Sequence, residues 1–162
     1  MKHIILGSLL ALSITQMSAA QTIQLPQQYN LDLKTAELLA QHAEQACQNQ
    51  FHKHLAVAVL DGAGLPLIVK RHESVGPHNA TAAQKKAFTA LSTKTATTIF
   101  SQNARQSVDS QNLTTVPELL LLGGGFPIQY QDEIVGAIGV AGSGGSKNDD
   151  WCAEQAIKMT FK

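Results

Sequence analysis

Imidazole and guanidinium side chains cluster in one stretch of this sequence. Arg71 and His72 follow an apolar run, and His78 and Asn79 follow after a short loop that contains glycine and proline. An imidazole can ligate iron or exchange a proton near neutral pH, and a guanidinium is a forked donor for carboxylates. These residue types predict a site for an anionic or iron-containing ligand, although a solvent-exposed surface position is the simpler interpretation of either histidine alone.

A second histidine pair, His52 and His54, has the spacing that places two side chains on the same face of a strand. Two imidazoles alone do not define a zinc site. The simpler interpretation is therefore a pair of solvated residues at a junction between a helix and a strand.

Two motifs that would indicate other chemistry fail on inspection. The glycine-rich run at 139–147 ends with Ser146 before Lys147, whereas a phosphate-binding loop needs the lysine first. Ala141 occupies the place where a nucleophile elbow requires glycine. The sequence also contains no Cys-x-x-Cys, so nucleotide binding, serine hydrolysis and thioredoxin-like chemistry are disfavoured.

Composition narrows the class of protein further. The 162 residues contain 12 Lys plus Arg and 12 Asp plus Glu, so no basic excess is available for binding nucleic acid. Hydrophobic residues make up 44%, which is typical of one packed domain rather than a disordered chain. No apolar run is long enough to span a bilayer, and we expect no membrane insertion.

The first residues have the pattern of a secretory signal peptide. A short basic start is followed by an apolar run at 4–14, and small residues end at Ala20. We therefore predict a signal peptide over 1–20, an extended arm over 21–30 and a single domain over 31–162. The mature protein would be periplasmic or secreted, in an oxidising compartment.

The order of helices and strands after residue 30 predicts an α+β fold, in which hairpins rather than βαβ crossovers connect the strands. Predicted helices run from the N-cap Asp32 to about Asn49, from Asn79 to about Thr98, and from Asp149 or Asp150 to Phe161; predicted strands are 55–60, 65–70, 118–122, 126–130 and 134–140.

Four stretches carry a resemblance to a known family. They are LAVAVLDGAGLPLIVKR at 55–71, AAQKKAFTA at 82–90, GGGFPI at 123–128 and EIVGAIGVAG at 133–142. The sequence resembles the GlcG/HbpS-like, or haem-degrading domain, family, which includes the C-terminal domain of PduO-type proteins. The resemblance implies a profilin-like α/β fold with a five-stranded antiparallel sheet in the order 2-1-5-4-3. It also implies homo-oligomers, from dimers to octamers.

That strand order predicts that the loops which carry the chemistry meet at one end of the sheet. The predicted ligand-binding residues are Arg71, His72, His78, Asn79, Lys86, Gly123, Gly124 and Gly125, with Lys86 matching the family's lysine. Glycine amides and a helix N-terminus would accept an anion. The alternative is structural: the three glycines form a bulge with a tight turn, and Arg71 pairs with Glu73. The loop at 72–78 also departs from the family's usual pattern.

The same strand order brings Cys47, in the last turn of the first helix, near Cys152, in the first turn of the last helix. If both helices cover one face of the sheet, an oxidising compartment favours a disulfide between them. Two buried free thiols are the alternative.

Three functions remain open from the sequence. The first is an exported small-ligand-binding protein that takes haem, with His72 or His78 as axial ligand, or a small hydroxy acid or aldehyde. The second is an enzyme of haem degradation or of acid–base chemistry on a hydroxycarbonyl compound. The third is an oligomeric accessory protein without a ligand of its own.

Overall fold

The computed structural model describes residues 23–161, so the predicted signal peptide lies outside the described residues. The helices are α1 (Leu33–Phe51), α2 (His78–Thr93), α3 (Thr97–Gln106) and α4 (Ser146–Thr160), with a 3₁₀ helix at Ser110–Thr115; the strands are β1 (Ala56–Asp61), β2 (Pro66–Arg71), β3 (Gly125–Tyr130) and β4 (Glu133–Ala141). Residues 23–32 precede α1 without regular secondary structure.

The four strands form one antiparallel sheet in the order β2-β1-β4-β3. The prediction of five strands is wrong, because 118–122 does not join the ladder. Its backbone turns on itself and binds side chains instead: Thr89 Oγ1 accepts from Leu120 N–H, and Ser101 Oγ donates to Leu121 C=O. The predicted order of the other four strands is confirmed.

Three helix boundaries differ from the prediction: both ends of α2 and the start of α4. The helix α4 begins at Ser146 after Gly145, so neither Asp149 nor Asp150 caps it. α2 begins at His78, with Pro77 at the N-cap position, so Asn79 lies in the first turn instead of capping the helix. The same helix ends at Thr93, where Lys94 takes a left-handed conformation (φ 52°). A separate helix, α3, then follows. The predicted cap of α1 is confirmed, since Asp32 Oδ1 accepts the Thr35 N–H at 2.8 Å.

Residues of different size cover the two faces of the sheet. Val57 and Val59 of β1 pack with Ile138 and Val140 of β4 against α1 and α4. The opposite face presents alanines to α2 (Ala56, Ala58, Ala137 and Ala141). α2 consequently lies so close that a Cβ on Gly139 would overlap the Ala83 carbonyl oxygen.

The predicted disulfide is confirmed. Cys47 and Cys152 are bonded, with 5.2 Å between their Cα atoms and 105 positions between them in the chain. Both are completely buried between α1 and α4, beside the edge-to-face pair of Phe51 and Trp151. The bond therefore fastens α1 to α4 on one face of the sheet.

Among the helices of the described residues, none combines the length and the apolar character that a membrane span requires.

Candidate functional site

The strand register places the predicted site residues at one end of the sheet, as the sequence predicted. Ala56 at the start of β1 pairs with Arg71 on one side and with Ala141 on the other. Gly124 reaches the same end, since its carbonyl accepts the Val140 N–H at 2.8 Å. The residues gathered there form two separate groups, and only one of them surrounds open space.

The first group lines a cavity of about 580 Å³ between α1, the start of β1 and the end of β2. We call it the histidine cavity; its walls are Gln41, Glu44, Gln45, Gln48, Lys53, His54, Leu55, Lys70, Arg71, His72 and Glu73. Its volume falls in the range of about 300–1,000 Å³ that is usual for small-molecule and cofactor sites.

Two imidazole rings stack in the wall of this cavity. The rings of His54 and His72 are nearly parallel (5°), and their centroids are 3.5 Å apart. The hairpin brings them together, because Leu55 C=O accepts the His72 N–H at 3.1 Å. Sequence reasoning selected His72 but missed His54 as its partner, although the predicted hairpin register contained that signal.

Arg71 shapes the loop that carries His72. Its Nη1 donates to the carbonyl oxygens of His72 (2.9 Å), Glu73 (3.2 Å) and Val75. Arg71 therefore binds the backbone carbonyl of Glu73. The alternative predicted from the sequence is an ion pair with the Glu73 carboxylate.

Charged side chains of both signs line the cavity. Lys70 Nζ is 2.6 Å from Glu44 Oε2 of α1, and Lys53 lies in the cavity wall. The pKa of the exposed Glu73 carboxyl is lowered from its ordinary value of 4.5, first by a hydrogen bond from its own amide and then by the neighbouring His72. The cavity wall thus carries three cationic side chains and two carboxylates beside the two imidazole rings.

The second group is buried, and we call it the lysine cluster: Lys86, Asp149, Ser143 and the carbonyl of Val140. Lys86 is 3% exposed, and its Nζ donates to Asp149 Oδ2 (2.7 Å) and to Val140 C=O (3.0 Å). The other carboxylate oxygen of Asp149 accepts from the Ser143 amide (3.0 Å) and hydroxyl (2.5 Å). Each charge is paired, so the cluster joins α2 to the N-terminus of α4.

The three consecutive glycines pack against protein rather than facing open space. Gly124 N–H donates to Asp150 Oδ1 at 2.5 Å, and Gly125 N–H donates to Thr97 Oγ1 at 2.9 Å. A Cβ on Gly123 would overlap the hydroxyl of Thr98. Two of the three amides predicted to bind an anion therefore already have internal partners, the Asp150 carboxylate and the Thr97 hydroxyl.

His78 and Asn79 begin α2 and are not among the residues that line the histidine cavity. Asn79 donates through its backbone and side-chain nitrogens to Gly76 C=O, at 3.0 and 3.1 Å. Binding of a ligand by these residues stays a prediction. The structure thus separates the eight predicted site residues: Arg71 and His72 line the cavity, and the others lie outside its walls.

In the part of the chain that the structure describes, residues 23–161, no group of three or more His, Cys, Asp or Glu side chains is placed to hold a metal ion.

The fold belongs to the α+β class: an antiparallel sheet lies between α2 and the disulfide-linked pair α1 and α4. The family model for the haem degrading protein HbpS-like matches residues 31–158. The chain belongs to this HbpS-like family. No curated protein matches it significantly by sequence.

Solved structures agree with this membership. A double mutant of Streptomyces reticuli HbpS is 30% identical, with a TM-score of 0.78 over 91% of this chain and 98% of that one. Protein ORFY of Klebsiella pneumoniae is 22% identical, with a TM-score of 0.77 over 87% and 97%. PduOC, solved as a complex with haem, is 23% identical, with a TM-score of 0.71 over 80% and 94%.

Proposed function

We propose that this protein is an exported haem-binding protein and that haem occupies the histidine cavity. The observation that carries the proposal is the stacked pair of His54 and His72 in the wall of a cavity of about 580 Å³. Haem bound there would supply an iron centre that accepts an imidazole and exchanges electrons.

The donor set of the cavity fits haem in two respects. The imidazoles offer nitrogen for iron. Lys53 offers positive charge for a propionate, and Lys70 could offer a second by exchanging its present partner, Glu44, on a rim where those carboxylates can also remain hydrated. The family description and the complex of PduOC with haem support the same ligand.

The disulfide supports export. Disulfides persist in oxidising compartments and are rare in the cytosol, and the bond between Cys47 and Cys152 lies in the core of the fold. The pattern of residues 1–20 supplies the matching targeting segment. We propose a periplasmic or secreted location for the mature chain.

Self-association is part of the proposal, as the family resemblance implies. Apolar side chains are exposed on α3 and on the segments that follow it: Ile99, Val108, Val116 and Leu122. An exposed apolar surface of this kind is typical of protein interfaces. Light scattering of the purified protein should give a mass of at least two chains, and a monomer at all concentrations would contradict this part.

The ligand is tested by filling the cavity. Gln45 lies on α1 in the cavity wall, whereas the exposed Gln50 of the same helix does not line the cavity. Gln45→Trp should lower haem affinity by at least tenfold, and Gln50→Trp should leave it unchanged. Titration with ferric haem, followed through its Soret band, measures both variants.

Equal affinity of the two variants would place haem elsewhere on the protein. Native mass spectrometry of the protein purified from its own compartment identifies the ligand directly. A retained two- to four-carbon acid in place of haem would establish the alternative, a binding protein for small hydroxy acids.

A further inference from the structure

We infer that His54 is the residue that ligates the haem iron and that His72 is a positioning residue for it. This assignment rests on the proposed haem-binding function and deepens it, because it distinguishes between two imidazoles that are in contact with each other.

The nitrogen of His72 that can accept a hydrogen bond is already engaged. The Ser74 backbone N–H donates to His72 Nδ1 at 3.2 Å, and Ser74 Oγ lies 2.8 Å from the same nitrogen. A backbone amide only donates, so Nδ1 must act as the acceptor and the ring proton resides on Nε2. That Nε2 faces Glu73 Oε2 at 3.7 Å. His72 therefore lacks a free lone pair for a metal.

His54 is in the opposite situation. Within residues 23–161, neither of its ring nitrogens takes part in a hydrogen bond, and the side chain is exposed to the cavity. The backbone of His54 is nevertheless held in place, because the adjacent Leu55 is buried in the core and only 1% exposed. His54 therefore combines an anchored backbone with a nitrogen lone pair that is free for iron.

The stacking contact explains what His72 contributes. The His54 ring is restricted by a parallel neighbour whose centroid is 3.5 Å away, so it loses less conformational entropy when its nitrogen binds iron. His72 is itself held by Ser74 and by the loop that Arg71 ties together. Arg71 thus holds the loop that positions His72, and the stacked ring of His72 in turn orients the ring of His54.

The other described histidines lie away from this cavity. His52 ends α1 in a left-handed conformation (φ 53°) and does not line the cavity, and neither does His78. The Nδ1 of His42 contacts Thr160 Oγ1 at 2.8 Å, between α1 and α4. His54 is thus the remaining source of an imidazole ligand in the described part of the chain.

Spectra of the haem-loaded protein test the assignment. We expect His54→Ala to lose the absorption and electron-paramagnetic-resonance signature of imidazole ligation, while haem affinity falls by about tenfold, equivalent to about 1.4 kcal/mol. His54→Gly should recover that signature when free imidazole is added. His72→Phe keeps an aromatic ring for stacking and should retain imidazole ligation, and His78→Ala is the matched control that should leave the spectrum unchanged.

The outcomes separate this inference from the proposed function. If wild-type protein does not bind haem, the proposed function fails. If wild type binds haem and His54→Ala has the wild-type spectrum, haem binding stands and the assignment of His54 is overturned. Loss of the imidazole signature in His72→Phe with His54 intact also overturns it, because that result makes His72 the ligand.

A measurement on the haem-free protein gives an independent test. Long-range proton–nitrogen NMR correlations report which ring nitrogen of a neutral histidine carries its proton. We expect His72 to carry it on Nε2. A proton on Nδ1 would free the Nε2 lone pair of His72 and overturn the assignment.

Discussion

The histidine cavity and the lysine cluster lie at the same end of the sheet but treat their charged groups in opposite ways. In the lysine cluster, Lys86 and Asp149 are buried and satisfy each other with help from Ser143. In the histidine cavity, His54 is exposed and retains unpaired ring nitrogens among the described residues. A ligand of the lysine cluster would have to displace an internal partner, whereas the ring nitrogens of His54 have none to displace among the described residues.

This difference shows that the type of a residue does not by itself decide whether it binds a ligand or stabilises the fold. A lysine matched to a family position is a ligand candidate in the sequence, but a buried ion pair with complete hydrogen bonding is a structural element. Substitutions in the lysine cluster should therefore change the free energy of unfolding, and substitutions in the histidine cavity should change ligand affinity.

The largest expected effect belongs to the lysine cluster. Lys86→Met leaves Asp149 buried and uncompensated, so the free energy of unfolding should fall by about 3–5 kcal/mol. Urea denaturation measures the loss, and Lys85→Met, at the neighbouring half-buried position, is the matched control. Replacing both partners, as Lys86→Met with Asp149→Leu, should recover part of the loss. If Lys86→Met were as stable as Lys85→Met, the structural role of the cluster would be disproved.

Opening the disulfide tests the wall of the histidine cavity. The bond closes a separation of 105 positions, and its removal should cost about 2–4 kcal/mol, which is typical for a disulfide and lies below the chain-entropy value of about 4.7 kcal/mol for a loop of this length. In the double variant Cys47→Ala, Cys152→Ala, amides of α1 near Gln45 and Gln48 should exchange hydrogen faster than in wild type. Exchange at Lys86 of α2 should change less, because that helix lies on the other face of the sheet.

Non-reducing mass spectrometry provides the control for this prediction. Wild-type protein should be about 2 Da lighter than the reduced form, since two hydrogens are lost on bond formation. Uniform acceleration of exchange in α1 and α2 would show that the bond supports the whole fold equally.

Close packing on the α2 face predicts a smaller effect. A Cβ at Gly139 would overlap backbone atoms of Ala83, so Gly139→Ala should cost about 1–3 kcal/mol by pushing α2 away from the sheet. Gly62→Ala is the control, because its Cβ would meet the Asn30 side chain at 3.0 Å, which can move aside. Thermal unfolding measures both, and a tolerated Gly139→Ala would mean that α2 can shift without loss.

The smallest effect concerns an exposed carboxylate, in contrast to the buried Asp149. Hydrogen bonds from Thr35 lower the pKa of Asp32 below its ordinary 3.8. The stabilisation by this cap is therefore complete above pH 3.8 and is lost as the pH falls through the lower pKa of the folded state. Asp32→Asn keeps a capping oxygen that does not titrate.

Stability curves in acid compare the two proteins. Between pH 4 and pH 2, wild type should lose more stability than Asp32→Asn. Parallel curves would show that the cap of α1 makes no contribution to the acid sensitivity of the protein.

Much of the architecture was predictable from local chemistry. Asp32 followed by an apolar repeat predicted α1, and the turn between two apolar runs at 55–60 and 65–70 predicted the first hairpin. The prediction failed at 118–122, where a run of leucines has the composition of a strand. Its backbone instead binds Thr89 and Ser101, and a contact between distant residues of this kind leaves no periodic trace in the sequence.

The sequence predicted where the candidate site lies in the fold, but it did not predict which residues line it. Strand order brought Arg71, His72 and the glycines to one end of the sheet, and the structure agrees. The strand order could not show that the Gly124 N–H donates to Asp150, or that Arg71 binds the loop carbonyls. Whether a polar group is free depends on partners that are remote in the chain.

By itself, the sequence determined four of the strands and their order, the first helix and the approach of Cys47 to Cys152, because hydrophobic period, turn residues and strand order are encoded locally or follow from the family resemblance. Only the tertiary structure decided that Lys86 is paired with Asp149 and enclosed, while His54 stands stacked on His72 beside an open cavity. The physical reason is that burial and hydrogen-bond partners are properties of the packed chain: the same residue type stabilises the fold where its partners are internal and is available to a ligand where they are not.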